Sequence, residues 1–150
     1  MSDYVISCCS TADLTKEHFE KRNISYICFH YELNGKEYAD DLYSSISPEV
    51  FYKMIGDGAQ PVTSQVNAEA YCALFEPVLK SGKDVLHLTL SSGISGSINS
   101  ANVAKTQMEE KYPDRRVMVV DSLAASSGYG MLVEQTLENQ RAGMSLEENA

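Results

Sequence analysis

Asp84-Val85-Leu86-His87-Leu88-Thr89-Leu90, followed at once by Ser91-Ser92-Gly93-Ile94-Ser95-Gly96-Ser97, decides the fold. The first seven residues form a nearly continuous apolar run, the pattern of a strand covered on both faces by helices; a strand with one wet face would alternate. The run stops abruptly at small hydroxyl-bearing residues and glycines. Residues 98–112 then recur at helical spacing until Pro113 ends them, and Arg116-Val117-Met118-Val119-Val120-Asp121 supplies a second buried strand. Strand, small-residue loop, helix and strand make a βαβ unit, whose two strands run parallel.

The same alternation extends outward. On the N-terminal side, Tyr4-Val5-Ile6-Ser7-Cys8 is a β-branched and aromatic run that ends at Ser10-Thr11-Ala12-Asp13, and the charged residues 15–22 predict a helix. Residues 24–33 (ISYICFHYEL) predict one strand, extended as a hairpin through the Asn34-Gly35 turn into Lys36-Glu37-Tyr38. Ser47-Pro48-Glu49 gives a short helix its capping hydroxyl, its first-turn proline and its early acid, and Gly56-Asp57-Gly58 ends it. Pro61-Val62-Thr63-Ser64-Gln65 reads as a polar linker before a helix that opens at Asn67 and closes at Gly82. On the C-terminal side, residues 122–142 predict a helix stopped by Gly143, and residues 144–150 begin another. The expectation is an α/β fold, a mainly parallel sheet with helices on both faces in a Rossmann-like three-layer arrangement. A last helix with nothing after it to pack against leads us to expect a further C-terminal portion.

Composition narrows the function classes. The 150 residues suit one domain, and 43% apolar with 22% charged residues is close to the globular average. No run approaches the roughly 20 apolar residues that span a bilayer. Met1-Ser2-Asp3-Tyr4-Val5-Ile6 carries an acid where a secretory signal needs Lys or Arg, so a cytoplasmic protein is expected. Cys8, Cys9, Cys28 and Cys72 show no CxxC spacing and read as reduced, mostly buried thiols. Twelve Lys and Arg against 21 Asp and Glu leave a formal charge of −9, which repels phosphate backbones, so nucleic acid is not an expected partner.

Ligands of open parallel sheets bind outside the carboxyl ends of the strands. Three loops there share one composition: Cys9-Ser10-Thr11, Ser91 to Ser97, and Asp121-Ser122 with Ser126-Ser127-Gly128. Together they would form a pocket rich in hydroxyls and helix N-termini but nearly devoid of Lys, Arg and His. Such an edge suits a small anion. A phosphate would normally recruit a fixed cation, whereas a single carboxylate is satisfied by two or three neutral donors.

Four stretches carry a resemblance: Ser10-Thr11-Ala12-Asp13-Leu14; Pro61-Val62-Thr63-Ser64-Gln65; Leu90 to Ser97 with Ser100-Ala101; and Val120-Asp121-Ser122 with Ser126 and Gly128. In this order and spacing they resemble the successive motifs of the DegV family, over the first of that family's two domains. The resemblance implies a fatty-acid-binding protein in which Thr63 and Ser92 hold the carboxyl group, with Ser91, Ser95, Gly96 and Ser122 as the polar surround. It also implies a non-catalytic carrier that presents a long-chain fatty acid to a fatty acid kinase for phospholipid synthesis, with no cofactor and no metal. Two departures stand out. Cys9 occupies the place where the family commonly has Asp, and the second domain, which closes the pocket in the family, is not among the 150 residues.

Plainer readings stand beside these. Ser-Gly runs between a strand and a helix are ordinary turn and cap chemistry, Thr63-Ser64 could cap the helix after it, and Asp121 could cap the helix that follows its strand. His87, in mid-strand, is expected to be a satisfied core histidine, and His18 and His30 to be surface residues. No two histidines share a motif with an acid, so no metal site is expected. A binding module for another small carboxylic acid remains an alternative. A serine hydrolase is weaker, because Gly93-Ile94-Ser95-Gly96 falls short of a GxSxG elbow and no His lies downstream of it.

Overall fold

The computed structural model describes residues 3–150; Met1 and Ser2, which open the segment read above for a signal, lie outside the described residues. The strands are β1 (Tyr4–Cys9), β2 (Ser25–Ile27), β3 (His30–Leu33), β4 (Lys36–Ala39), β5 (Val62–Ser64), β6 (Asp84–Thr89) and β7 (Val117–Asp121), and helices separate all but β2, β3 and β4. These are α1 (Lys16–Arg22), α2 (Pro48–Gly56), α3 (Ala68–Lys80), α4 (Ser97–Lys111), α5 (Ser126–Arg141) and α6 (Leu146–Asn149). Caps act where hydroxyl and amide side chains stand at helix starts: Thr15, Ser47, Asn67 and Ser145 each accept a first-turn N–H of α1, α2, α3 and α6 in turn.

Four strands make a wholly parallel sheet in the order β2-β1-β6-β7. From β1 the chain crosses through α1 to β2 on one side, and from β6 it crosses through α4 to β7 on the other. Right-handed crossovers in opposite directions put α1 and α4 on opposite faces. The α/β expectation therefore holds, and the strand order reverses between β1 and β6, where an open α/β sheet offers its crevice.

Three expectations change. The single strand of residues 24–33 is two strands, because Ser10 Oγ accepts Phe29 N–H (3.1 Å) and Phe29 C=O accepts Asp40 N–H (2.7 Å), which takes Phe29 out of the ladder. β2 stays in the parallel sheet, while β3 joins a separate antiparallel sheet of order β4-β3-β5. The hairpin turn is as expected, Asn34 and Gly35 both having positive φ (53° and 76°). The polar linker, in turn, contains β5, paired with β3 through His30–Ser64, Tyr31–Thr63 and Glu32–Val62. The final long helix starts four residues later than expected, at Ser126, since Ser122 Oγ bonds both N–H and C=O of Ala124 and holds a turn instead.

A buried polar cluster lies between the parallel sheet and α3. Ser7 Oγ is 2.8 Å from His87 Nδ1, His87 Nε2 is 3.9 Å from Cys9 Sγ, and Tyr71 and Phe75 of α3 set their rings against the imidazole at 5.2 and 5.4 Å. Cys8 and Cys9 are buried, and Cys28 and Cys72 only partly so; all four are free thiols. His87 is the satisfied core histidine expected, and its complete burial pushes its pKa down to about 3.

That burial sets a pH dependence. In the folded chain His87 stays neutral down to about pH 3, whereas the unfolded residue takes a proton near its ordinary value of 6.5. The unfolded state binds more protons between these values, so His87 makes stability fall as pH drops through this window, at up to about 1.4 kcal/mol per pH unit. Urea denaturation at pH 7, 6 and 5 should show this slope in the wild type and a shallower one in His87→Leu, although the variant is less stable at pH 7 because Ser7 loses its partner. An equal slope in both would show that His87 is not held neutral.

Candidate functional site

A cavity of about 410 Å³, within the usual size range of small-molecule pockets, lies between the carboxyl edge of the parallel sheet and the antiparallel sheet. On the parallel side its wall takes Thr11 from the turn after β1, Phe29 from beyond β2, and Leu90, Ile94 and Ser95 from the loop after β6. These are the loops flanking the strand-order reversal. The opposite wall comes from β3, β5 and α2: Tyr31 stacks on Tyr38 (5.5 Å), and Phe51 meets Tyr31 edge-on (5.4 Å), so aromatic rings line that side. No Lys or Arg is among the wall residues.

Of the residues singled out from sequence, Thr63 and Ser95 reach the wall. Thr63 sits mid-strand in β5 opposite Tyr31, so the ladder fixes its backbone. Ser95 Oγ lies 2.7 Å from Ser97 Oγ and accepts Ser97 N–H (3.2 Å) at the start of α4. Ser92 is exposed and stands outside the wall, between the wall residues Leu90 and Ile94; its N–H donates to Asp121 Oδ1 (3.1 Å). Ser91 is buried, its Oγ accepting Gly93 N–H (3.2 Å) and its N–H bonding Ala124 C=O (3.1 Å). Ser122 is buried in its own turn, and Gly96 lies beneath the side chain of Gln65.

The loop after β7, expected at the pocket, therefore stays out of the wall and braces the loop after β6 from behind. Asp121 is the brace: its carboxylate accepts N–H groups of Ser92 and Leu123, and the Ser92 side-chain hydroxyl is the main cause that holds its pKa below the ordinary value, the two N–H groups adding to it. Cys9 also lies outside the wall. Its thiol sits 3.7 Å from Tyr71 Oη and is pushed up by burial, so a neutral group stands where the resemblance implies a carboxylate.

Thr11 lay in a motif without being named a ligand, and Asp40, His30 and the aromatic residues lay outside the motifs. Thr11 Oγ1 is buried without a hydrogen-bond partner. Asp40 lines the cavity, and burial, with Asp13 and Asp41 adding to it, holds its pKa above the ordinary value against a lowering bond from Ser10. His30, expected on the surface, is partly buried in the wall; His18, also expected there, bonds Glu134 of α5 (2.6 Å) and is half-covered. The aromatic wall gives no local motif, since it arises only when the hairpin folds back over the strand ends. Among the described residues no cluster of three metal-ligating side chains occurs, and no helix is long and apolar enough to cross a membrane.

Comparison with known proteins fits this geometry. A DegV domain-containing protein of Clostridium perfringens is 36% identical over 148 residues, which are 99% of this chain and 51% of that protein. A stearic acid-binding protein of Eubacterium ventriosum superposes with a TM-score of 0.88 at 30% identity, covering 97% of this chain and 50% of that one. A DegV family protein of Thermus thermophilus, described for its fatty acid binding, gives 0.86 at 30% identity over 98% of this chain and 50% of its own. The chain thus spans about half the length of the relatives it matches. The family profile described as "Uncharacterised protein, DegV family" covers residues 6–150, and the chain belongs to the DegV family.

Proposed function

We propose that this chain binds a long-chain fatty acid, with the acyl chain against the aromatic wall and the carboxyl group on hydroxyls at the strand ends. The observation that carries this reading is the cavity: apolar on the side built by β3, β5 and α2, hydroxyl-bearing at the strand ends, and without a Lys or Arg in its wall. Thr63 and Ser92 are the proposed carboxyl ligands, and Ser91, Ser95, Gly96 and Ser122 form and brace the surrounding loops. Each CH₂ taken from water adds about 0.8 kcal/mol, so the tail dominates affinity and the carboxyl group sets orientation. The fatty-acid-binding relatives support this reading.

We read residues 1–150 as the first of two domains, with the second closing the cavity. The protein acts in the cytoplasm as a carrier that presents its acid to a fatty acid kinase, and it performs no chemistry itself. The geometry at Ser95 supports the last point, because its hydroxyl is engaged by Ser97 and not by an imidazole.

Native mass spectrometry of the chain purified from bacteria should show a retained C16 to C18 acid; a ligand-free protein that takes up no added oleate would sink the reading. Thr63→Val and Ser92→Ala should each weaken oleate binding by about 1 to 3 kcal/mol, roughly 5- to 150-fold, with melting temperatures near that of the wild type. Unchanged affinity in both would remove them as ligands. Assays with p-nitrophenyl esters should show no turnover beyond background, and turnover lost in Ser95→Ala would instead make the protein a hydrolase.

A further inference from the structure

Gly96 precedes the first residue of α4 with φ −76° and ψ 4°. Any L-residue adopts that backbone, so glycine is not required there for conformational freedom. What a side chain there would meet is Gln65. A methyl group built on Gly96 would lie 2.5 Å from Oε1 of Gln65, 3.6 Å from its Cδ and 3.9 Å from its Nε2. The first of these is a clash, so the carboxamide of Gln65 occupies the volume that any larger residue at 96 would fill. Gln65 follows β5, whose pairing with β3 sets where its side chain starts, and it lines the cavity next to Thr63 and Ser64. The exposed side chain of Gln65 thus starts from the end of the sheet and reaches over the space left by Gly96.

The groups around it differ in how far they are already engaged. Ser95 Oγ is paired with the Ser97 hydroxyl and accepts the Ser97 N–H, whereas a primary amide carries two N–H donors. In a wall without Lys or Arg, that amide is a strong neutral donor for a carboxylate. We propose that Gln65 is a further ligand of the fatty acid carboxyl group, seated by the notch at Gly96, and that it makes the site prefer an ionised head group to a neutral one. The inference rests on the fatty-acid reading above and adds to it a residue and a source of head-group selectivity.

The test compares oleate with oleyl alcohol, which has the same chain and a neutral head, on the same chain and its variants. Gln65→Ala should weaken oleate about tenfold and the alcohol no more than about threefold, as expected for loss of a donor to a charged acceptor. Gln65→Glu should weaken oleate more than Gln65→Ala does, because it sets one carboxylate against another, and should leave the alcohol nearly unchanged. Gly96→Ala should displace the amide and cost oleate binding as much as Gln65→Ala. The double variant should be no worse than Gln65→Ala alone, since the notch has no role once the amide is gone. Equal losses for both ligands would make Gln65 a structural brace, and oleate affinity within about twofold of wild type in Gln65→Ala would remove it from the site; either result overturns the inference while leaving the fatty-acid reading intact. A wild-type chain that binds no oleate would overturn that reading and this inference with it.

Discussion

Parallel strands share a ladder only while they run side by side, and in this chain β1 and β6 pair through Tyr4–Ser7 and Asp84–His87 and then part. The backbone groups just beyond would be left without partners in the interior. Tyr129 of α5 meets that need: its hydroxyl accepts Cys9 N–H (3.0 Å) and donates to Leu88 C=O (2.5 Å). One phenol thus bridges the two strands where they separate, in a position that backbone alone could not satisfy. The turn after β1 and the loop after β6 diverge from this bridge, and the cavity lies between them. Close packing behind it is equally strict, since a methyl group on Gly130, next to Tyr129 in α5, would lie 2.6 Å from Ala12 C=O.

The parallel sheet was legible because its strands announce themselves: Val85 to Leu90 is interrupted only by His87 and Thr89, Val117 to Val120 is apolar throughout, and such runs mark a strand covered on both faces. Thr63 was legible as a motif residue but not as a strand residue. All three residues of β5 are exposed, and Val62-Thr63-Ser64 extends only because Tyr31 and its neighbours lie alongside. Thr11 belonged to a loop already suspected, yet its unpaired hydroxyl depends on what surrounds it in space. Asp121 shows the converse: sequence placed it at the right edge of the sheet, but only tertiary contact shows that it accepts the N–H of Ser92 and supports the loop without entering the wall.

The electrostatic character of the site follows from what it lacks as much as from what it holds. Asp40 in the wall is pushed up by burial, as an acid is when no cation faces it. The carboxylate of the proposed fatty acid would therefore be better placed toward the hydroxyls of β5 and the loop after β6 and the amide of Gln65 than toward Asp40. Neutral donors on one side and a reluctant acid on the other would then set its orientation, with no Lys or Arg of the wall to pair with it.

The outer wall is built differently from the rest. No residue of α2 is fully buried and β5 is exposed along its length, so this side is held by the ring contacts of Tyr31, Tyr38 and Phe51 and by one short ladder. The parallel sheet behind it has its own core in Val85, Leu86, Val117 and Val133. Opening the wall therefore disturbs little of that core. Free energies of opening are not uniform within a protein, and segments with few buried contacts separate first. For the proposed fatty acid this shell would be the way in, opened by a local fluctuation of α2 and β5 that costs less than global unfolding, and the acyl chain would then supply apolar contacts that the shell lacks on its own.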